Sequence, residues 1–275
     1  MNNIQIDQLI INALIEDSDH GDATSERIFT ADHKSTGRFI AKEAGVIAGC
    51  SVATRVFELL GADIQLDWQV VDGDVVSQYD VLGTITGQTL AILKGERIAL
   101  NLMQRMSGIA TLTAAYVKEI EDLPCRLVDT RKTTPGLRLI EKYAVTVGGG
   151  YNHRYNLSDA VMIKDNHVKA AGGIALAVAK IKKTCPHTMK IEVEVESLDQ
   201  MEEAIVAGAD IVMLDNMRVE DMAEAVRRNA GRVVLEASGN VSLETIRMIA
   251  KTGVDVISCG KLTHSVSAFD ISLKF

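Results

Sequence analysis

Ala204-Ile-Val-Ala-Gly-Ala-Asp-Ile-Val-Met213 and Ile249-Ala-Lys-Thr-Gly-Val-Asp-Val-Ile-Ser258 share one plan: a helix end, a glycine, then a short apolar strand. Glycine just past the last apolar residue of a helix is a common stop, because it takes the left-handed backbone that ends the helix. A helix–strand unit used twice favours a closed β/α barrel, with an open doubly wound sheet as the alternative. The same alternation extends back to about residue 126. Strands are expected at 126–129, 145–148, 160–164, 191–195, 211–214, 233–236 and 256–259, and helices at 136–143, 168–184, 198–207, 219–229 and 242–252. Apolar strands joined by helical crossovers form a parallel sheet covered on both faces. No G-x-G-x-x-G follows a strand and opens a helix, which weakens a dinucleotide fold.

The first hundred residues follow a different pattern. Ile4, Leu9, Ile10, Ala13 and Leu14 give a short helix over 1–17 an apolar side, and a polar loop, Glu16 to Ser25, follows. Strands are expected at Gly37–Lys42, Val46–Ala48, Gln65–Val71 and Val81–Thr86, with a helix at Ser51–Leu60 between them. Asp72-Gly-Asp-Val-Val and Asp80-Val-Leu-Gly look like the strand-turn-strand core of lipoyl and biotinyl domains. No lysine occupies a turn between them, so the reading is a small β-rich layer and not a carrier. Ile98, Leu102, Met106, Ile109, Thr113, Tyr116 and Ile120 recur at helical spacing and predict a long helix over 96–121. The tail, Phe269 to Phe275, alternates with period two and reads as a strand returning to the N-terminal layer. The division expected is 1–110, with 266–275 returning to it, and 111–265.

The chain has 275 residues, 47% hydrophobic and 24% charged, with three prolines, which excludes collagen-like and disordered classes. No apolar run reaches the roughly 18–20 residues that span a bilayer. The start, Met-Asn-Asn-Ile-Gln-Ile-Asp, lacks the basic and apolar regions of a signal peptide, so a cytoplasmic protein is expected. Cys50, Cys125, Cys185 and Cys259 lie 60 or more positions apart and form no C-x-x-C pair, so they read as buried thiols. A net charge of −8 argues against nucleic acid and membrane partners. Residues 126–169 nevertheless carry eight Lys/Arg against four acids, which is +4 and leaves −12 on the remainder. One basic segment in an acidic protein suggests a local site for a small polyanion.

In β/α barrels functional groups gather at the C-terminal ends of the strands. Here these ends read Asp129-Thr-Arg-Lys132, Gly148 to Arg154, Lys164-Asp-Asn-His167, Glu194, Asp215-Asn216, Glu236 to Asn240 and Cys259-Gly-Lys261. Arg131, Lys132, His153, Arg154 and Lys164 in one mouth would repel one another without an anionic ligand, and arginine forks match carboxylates and phosphates. Glu194 and Asp215 suit a hard cation or ribose hydroxyls. Glu192, Glu194 and Glu196 share one strand face, so at least one is expected to have a functional partner. Ser238-Gly239-Asn240 and Cys259-Gly260 precede helices and offer backbone N–H groups to a phosphate. Arg97 falls in the first turn of the predicted helix, where a cation opposes the macrodipole at about 0.3–1 kcal/mol, and Glu96 offsets that or Arg97 faces an anion elsewhere. His264, in Gly260-Lys-Leu-Thr-His-Ser265, is a candidate contact near the phosphate end.

With these segments the sequence resembles the quinolinate phosphoribosyltransferases (nicotinate-nucleotide pyrophosphorylase, carboxylating), the type II phosphoribosyltransferases. Matching stretches run in the family's order from residue 16 to 265. They include Gly21-Asp-Ala-Thr-Ser25, Gly95-Glu-Arg-Ile-Ala-Leu-Asn101, Ser107-Gly-Ile-Ala-Thr111, Asp129-Thr-Arg-Lys-Thr-Thr-Pro-Gly-Leu-Arg138, Gly148-Gly-Gly-Tyr-Asn-His-Arg154, Ile163-Lys-Asp-Asn-His167, Leu214-Asp-Asn216, Glu236-Ala-Ser-Gly-Asn240 and Leu262-Thr-His-Ser265. The resemblance implies an N-terminal α/β sandwich followed by an open, seven-stranded, TIM-like β/α barrel. It implies transfer of the phosphoribosyl group of phosphoribosyl pyrophosphate to quinolinate with loss of CO₂, a step of NAD biosynthesis. It also implies a cytoplasmic homodimer, with a hexamer of dimers as a further assembly, in which Arg97 is donated across the interface. Arg131, His153, Arg154 and Lys164 would surround the two carboxylates, with Lys132 nearby and reaching the diphosphate. Glu194 and Asp215 would bind Mg²⁺ and the ribose hydroxyls, so that Lys132, Lys164, Glu194 and Asp215 form the catalytic group. Ser238, Gly239, Asn240, Cys259 and Gly260 would cradle the 5′-phosphate. One departure stands out: the usual Ala-Ser-Gly-Gly reads Ala-Ser-Gly-Asn240 here. The alternatives are a type II transferase with another acceptor (nicotinate, or the molybdate-linked paralogue), a Schiff-base aldolase using Lys164, and a phosphosugar-binding sensor without turnover.

Overall fold

The computed structural model describes residues 3–61 and 63–275. In chain order the elements are α1 (Asn3–Ser18), α2 (Ser25–Ile28), β1 (Lys34–Ala41), β2 (Gly45–Val46), α3 (Cys50–Leu59), β3 (Ile64–Trp68), β4 (Val75–Val76), β5 (Val81–Gln88) and α4 (Thr89–Lys118). They continue as β6 (Arg126–Val128), α5 (Arg138–Val147), β7 (Val161–Ile163), α6 (Asp165–Ala171), α7 (Ile174–Lys182), β8 (Ile191–Val195), α8 (Leu198–Ala207) and β9 (Ile211–Asp215). The chain ends with α9 (Val219–Asn229), β10 (Val234–Ser238), α10 (Leu243–Ala250), β11 (Val256–Ser258), α11 (Lys261–His264) and β12 (Ile271–Lys274). Two units result. One holds the chain up to Ala114 with Thr133–Gly149 and Leu262–Phe275; the other holds Ala115–Lys132 and Gly150–Lys261.

The first unit is built on an antiparallel sheet of order β12-β1-β5-β3. Along β1, buried Gly37, Phe39 and Ala41 alternate with exposed Thr36 and Arg38, the period-two pattern of a strand with one wet face. The chain's last strand pairs with β1 in the register Phe39↔Leu273, as the alternation of the tail predicts, but only Ile271–Lys274 is extended. Phe269 instead donates its N–H to the Gln104 carbonyl at 2.9 Å. Ile92, Ala99, Met103, Met106 and Ala110 form the buried stripe of α4, each large side chain contributing about 1.5–3 kcal/mol. Helix α5 is tied to α4 by Arg105, which reaches the fully buried Glu141 carboxylate at 2.8 Å and the Thr263 carbonyl at 2.6 Å. Gly108 allows the C-terminal segment to cross α4, since a Cβ there would lie 2.1 Å from the Ser267 carbonyl oxygen. Gly108→Ala should therefore cost about 1–3 kcal/mol of stability through overpacking, seen as a lower urea midpoint.

The second unit is the parallel sheet β6-β11-β10-β9-β8-β7 with helical crossovers. The repeated sequence unit ends α8 as read, with left-handed Gly208 (φ 88°) as its cap, whereas α10 ends at Ala250 with Lys251 as its cap and Gly253 (φ 92°) follows in the turn before β11. Helix α8 starts at Ser197, whose hydroxyl accepts from the Gln200 N–H, and α10 starts with a capping box of Ser242 and Thr245.

Four local expectations need correction. Residues 145–148 are not a strand; Ala144 and Val145 join Ile140 on the buried face of α5, which outweighs the β-branched composition. The seventh strand position is held by Tyr151 alone, bridged in parallel to Val128, so the sheet has six strands and one further rung. The long helix begins at Thr89 because Gly95 does not stop it. A Cβ at 95 would meet the Phe57 ring at 2.7 Å, so this glycine serves close packing. Arg97 is thus the ninth helical residue, and the macrodipole argument for it falls away. The helix expected over 168–184 is two helices, broken where Gly172 and Gly173 take φ of 92° and 138°.

Candidate functional site

Side chains alternate along a strand, so one face of the parallel sheet carries Met162, Glu192, Glu194, Met213, Asp215, Glu236, Ser238 and Ser258. Where these strands end, a cavity of about 610 Å³ opens in the second unit. Arg131, Lys132, His153, Arg154, Lys164, Glu194, Asp215, Ser238, Gly239 and Asn240 all line it, as the strand-end reading requires. Cys259 and Gly260 are not in the lining, because alternation turns Ser258 inward and Cys259 away. Ser258 pairs in register with Ser238, and the buried Cys259 gives its N–H to Val128 at 3.0 Å. Arg97 and His264 belong to the first unit. Arg97 is exposed beside Glu16, Asp17 and Asn101, and His264 Nδ1 lies 2.6 Å from the Ser265 hydroxyl.

The basic wall is held from below. Tyr151 accepts the Asp129 N–H and donates to Leu127, and the fully buried Asp129 carboxylate accepts the His153 N–H at 2.9 Å. This positions His153 and Arg154 over the strand ends although no strand carries them. Arg154 sends one guanidinium N–H to the Ala160 carbonyl at 3.2 Å. Burial, then the charge of Arg131, lower the pKa of Arg154. Crowded guanidinium groups of this kind are relieved by an anion.

On the acidic side, Lys164 Nζ lies 2.5 Å from Glu194 Oε2. Burial, then the Glu194 charge, raise the pKa of Asp215. Asn216 donates to Asp215 Oδ2 at 2.9 Å. A pair of carboxylates at the rim of a cavity, in which the Glu194 charge opposes ionisation of Asp215, fits a hard divalent cation such as Mg²⁺.

One layer deeper lies a group that sequence reasoning did not assemble. Glu192 and Glu236 are buried, 2% and 4% exposed, and His153 Nε2 stands 3.5 and 3.4 Å from their Oε2 atoms. Burial alone would lower the His153 pKa, but the two carboxylates outweigh it and raise it to about 10. The Arg154 N–H donates to His153 Nδ1 at 2.7 Å, which requires a lone pair there and puts a proton on Nε2. A second proton then resides on the carboxylate pair, where burial and Glu236 raise the pKa of Glu192. Imidazolium with two carboxylates, or imidazole with one protonated carboxyl, hold the same protons and the same charge of one negative unit. The donor atoms of the three lie within 4.8 Å of one another, yet a protonated Nε2 is no metal ligand, so the trio is a proton-holding support. Alternation placed Glu192 on the face of Glu194; only the fold brings Glu236 and His153 to it.

The profile of the quinolinate phosphoribosyl transferase C-terminal domain matches residues 109–274, and that of the N-terminal domain matches residues 22–107. The chain belongs to the quinolinate phosphoribosyl transferase family. It is 42% identical over 273 residues to a probable nicotinate-nucleotide pyrophosphorylase [carboxylating] of Bacillus subtilis, covering 99% of this chain and 94% of that one. It is 46% identical to the protein of the same description from Synechocystis, covering 98% and 92%. The crystal structure of NadC from Streptococcus pyogenes superposes with a TM-score of 0.96 at 45% identity, covering 100% of this chain and 97% of that one. The family fold is thus the N-terminal sheet unit followed by the open parallel β/α sheet. Among the described residues no helix is long and apolar enough to cross a membrane.

Proposed function

We propose that the chain joins the pyridine nitrogen of quinolinate to C1 of phosphoribosyl pyrophosphate, releasing pyrophosphate and CO₂ and leaving nicotinate mononucleotide for NAD biosynthesis. The observation that carries this reading is the set Arg131, Lys132, Arg154 and Lys164 around one cavity, more cations than a monocarboxylate needs. Arginine forks hold carboxylates bidentately, and the lysines supply point charges to the second carboxylate and the diphosphate. As the C1–O bond breaks, charge builds on the leaving pyrophosphate, and Lys132 and Lys164 stabilise it there. Mg²⁺, held by Glu194 and Asp215 together with substrate oxygens, would screen the same diphosphate charge when bound. Glu194 and Asp215 also accept hydrogen bonds from the ribose hydroxyls. The nitrogen lone pair forms the new bond, and the C2–carboxylate bond then breaks with its electron pair left beside the cationic nitrogen, to be protonated at C2. The protein orients and desolvates; no strong base is needed. His153 acts beneath the substrate, fixing the Arg154 backbone through Nδ1.

Ser238, Gly239 and Asn240 receive the 5′-phosphate through their backbone N–H groups, with Cys259 and Gly260 as backbone neighbours and His264 as a further contact. We place the enzyme in the cytosol, as its four free cysteines suit a reducing compartment, and as a homodimer that receives Arg97 from the partner copy. An aldolase reading is disfavoured because Lys164 Nζ is engaged by Glu194, whereas Schiff-base lysines sit in apolar or cation-flanked pockets. The test is a paired assay with phosphoribosyl pyrophosphate and Mg²⁺. Nucleotide and CO₂ are expected from quinolinate and nothing from nicotinate; turnover of nicotinate alone would keep the family and overturn the dicarboxylate reading.

A further inference from the structure

We propose that Asn240 is a positioning residue: through Asn216 it fixes the orientation of the Asp215 carboxylate, and so sets how tightly the site holds the ribose of its phosphoribosyl donor. The inference rests on the donor-binding reading of Asp215 given above.

Asn240 Nδ2 donates to Asn216 Oδ1 at 3.1 Å, and Asn216 Nδ2 donates to Asp215 Oδ2 at 2.9 Å. The direction of this relay is determined chemically. An ionised carboxylate only accepts, so the Asn216 nitrogen must face Asp215 and its oxygen must face position 240. A donor side chain at 240 completes the relay, and glycine, the residue of the usual pattern there, supplies none. Both asparagines hold left-handed backbone, with φ of 53° and 52°, a conformation that asparagine takes more readily than other non-glycine residues. The Asn216 N–H is itself anchored to the Ser238 carbonyl at 2.9 Å. Gly239 leaves the space the relay needs, since a Cβ there would lie 2.1 Å from Asn216 Oδ1. Asp215, Asn216, Gly239 and Asn240 all line the cavity. With Glu194 close by, an Asp215 released from the amide turns away from its neighbour's charge, and the ribose loses a preorganised acceptor.

The positive φ at both positions makes glycine a backbone-neutral probe. Asn240→Gly, Asn216→Gly and the double variant are compared with the parent, and unchanged thermal midpoints confirm that all four fold. Asn240→Gly is expected to raise KM for phosphoribosyl pyrophosphate about three- to tenfold, with kcat within about twofold and KM for quinolinate unchanged, the size of one lost hydrogen bond. The calorimetric Kd of ribose 5-phosphate, measured without metal, should rise in parallel. Asn216→Gly should do at least as much, and the double variant no more than Asn216→Gly alone, because the relay is already cut. Asn240→Asp, which keeps the backbone preference but presents an acceptor to Asn216 Oδ1, should be worse than glycine. Unchanged KM and Kd in Asn240→Gly, or singles whose effects multiply in the double variant, overturn the inference while leaving the site reading in place. A parent enzyme that binds neither ribose 5-phosphate nor phosphoribosyl pyrophosphate overturns both.

Discussion

Arg131→Ala should lower kcat/KM for quinolinate by about 30-fold or more, equivalent to at least about 2 kcal/mol of transition-state stabilisation. Arg131 and Arg154 line one cavity, and the charge of the first helps to lower the proton affinity of the second. A dianion is the ligand that relieves such crowding. Removing Arg131 leaves one carboxylate of the bound substrate desolvated without its bidentate donor, which costs more than the bond itself. The loss should fall on quinolinate and not on KM for the phosphoribosyl donor, whose ribose is assigned to Glu194 and Asp215. Arg131→Lys should recover only part of the rate, since a point charge replaces a planar fork. Steady-state kinetics with each substrate varied in turn checks this, and unchanged constants in Arg131→Ala would remove Arg131 from the site.

What could be read from the sequence was local and periodic. The repeated helix–glycine–strand unit placed α8, β9, α10 and β11 within a few residues, because left-handed glycines at 208 and 253 are required by the backbone wherever the chain goes. Strand-end logic likewise placed ten candidate residues around one cavity. What failed depended on tertiary contacts. The helix predicted over 96–121 begins at Thr89, and Gly95 inside it leaves the space that the Phe57 ring fills. Val145 reads as strand until helix α5 buries it with Ile140 and Ala144. Asn216 was visible at a strand end but had no evident task, because its partner at 240 comes from the next strand. Glu192, Glu236 and His153 come from three separate segments, and no spacing could bring them together.

That buried trio makes the second large effect a matter of pH. In the parent, His153 has a folded pKa of about 10 against an ordinary value of 6.5, with burial opposing and the two carboxylates dominating. Glu192 is also shifted upward, by burial first. Both shifts mean that the folded chain binds more protons than the unfolded one, so stability falls as pH rises. The contribution is complete below about pH 6.5 and is lost as pH passes through about 10. His153→Leu removes the Nε2–H that faces both carboxylates and leaves Glu192 and Glu236 facing each other in the interior. The proton affinity of Glu192, already raised by burial, then rises further: the stability tied to it is complete below the ordinary glutamate value of 4.5 and declines as pH rises above that value. At pH 8 the variant should be less stable than the parent by about 3–5 kcal/mol, the cost of uncompensated buried charge. At pH 5 the gap should shrink severalfold. Urea unfolding of both proteins across pH 5–9 reads this directly. A gap that does not change with pH would mean that His153 merely fills space, and the proton-holding support would have to be abandoned.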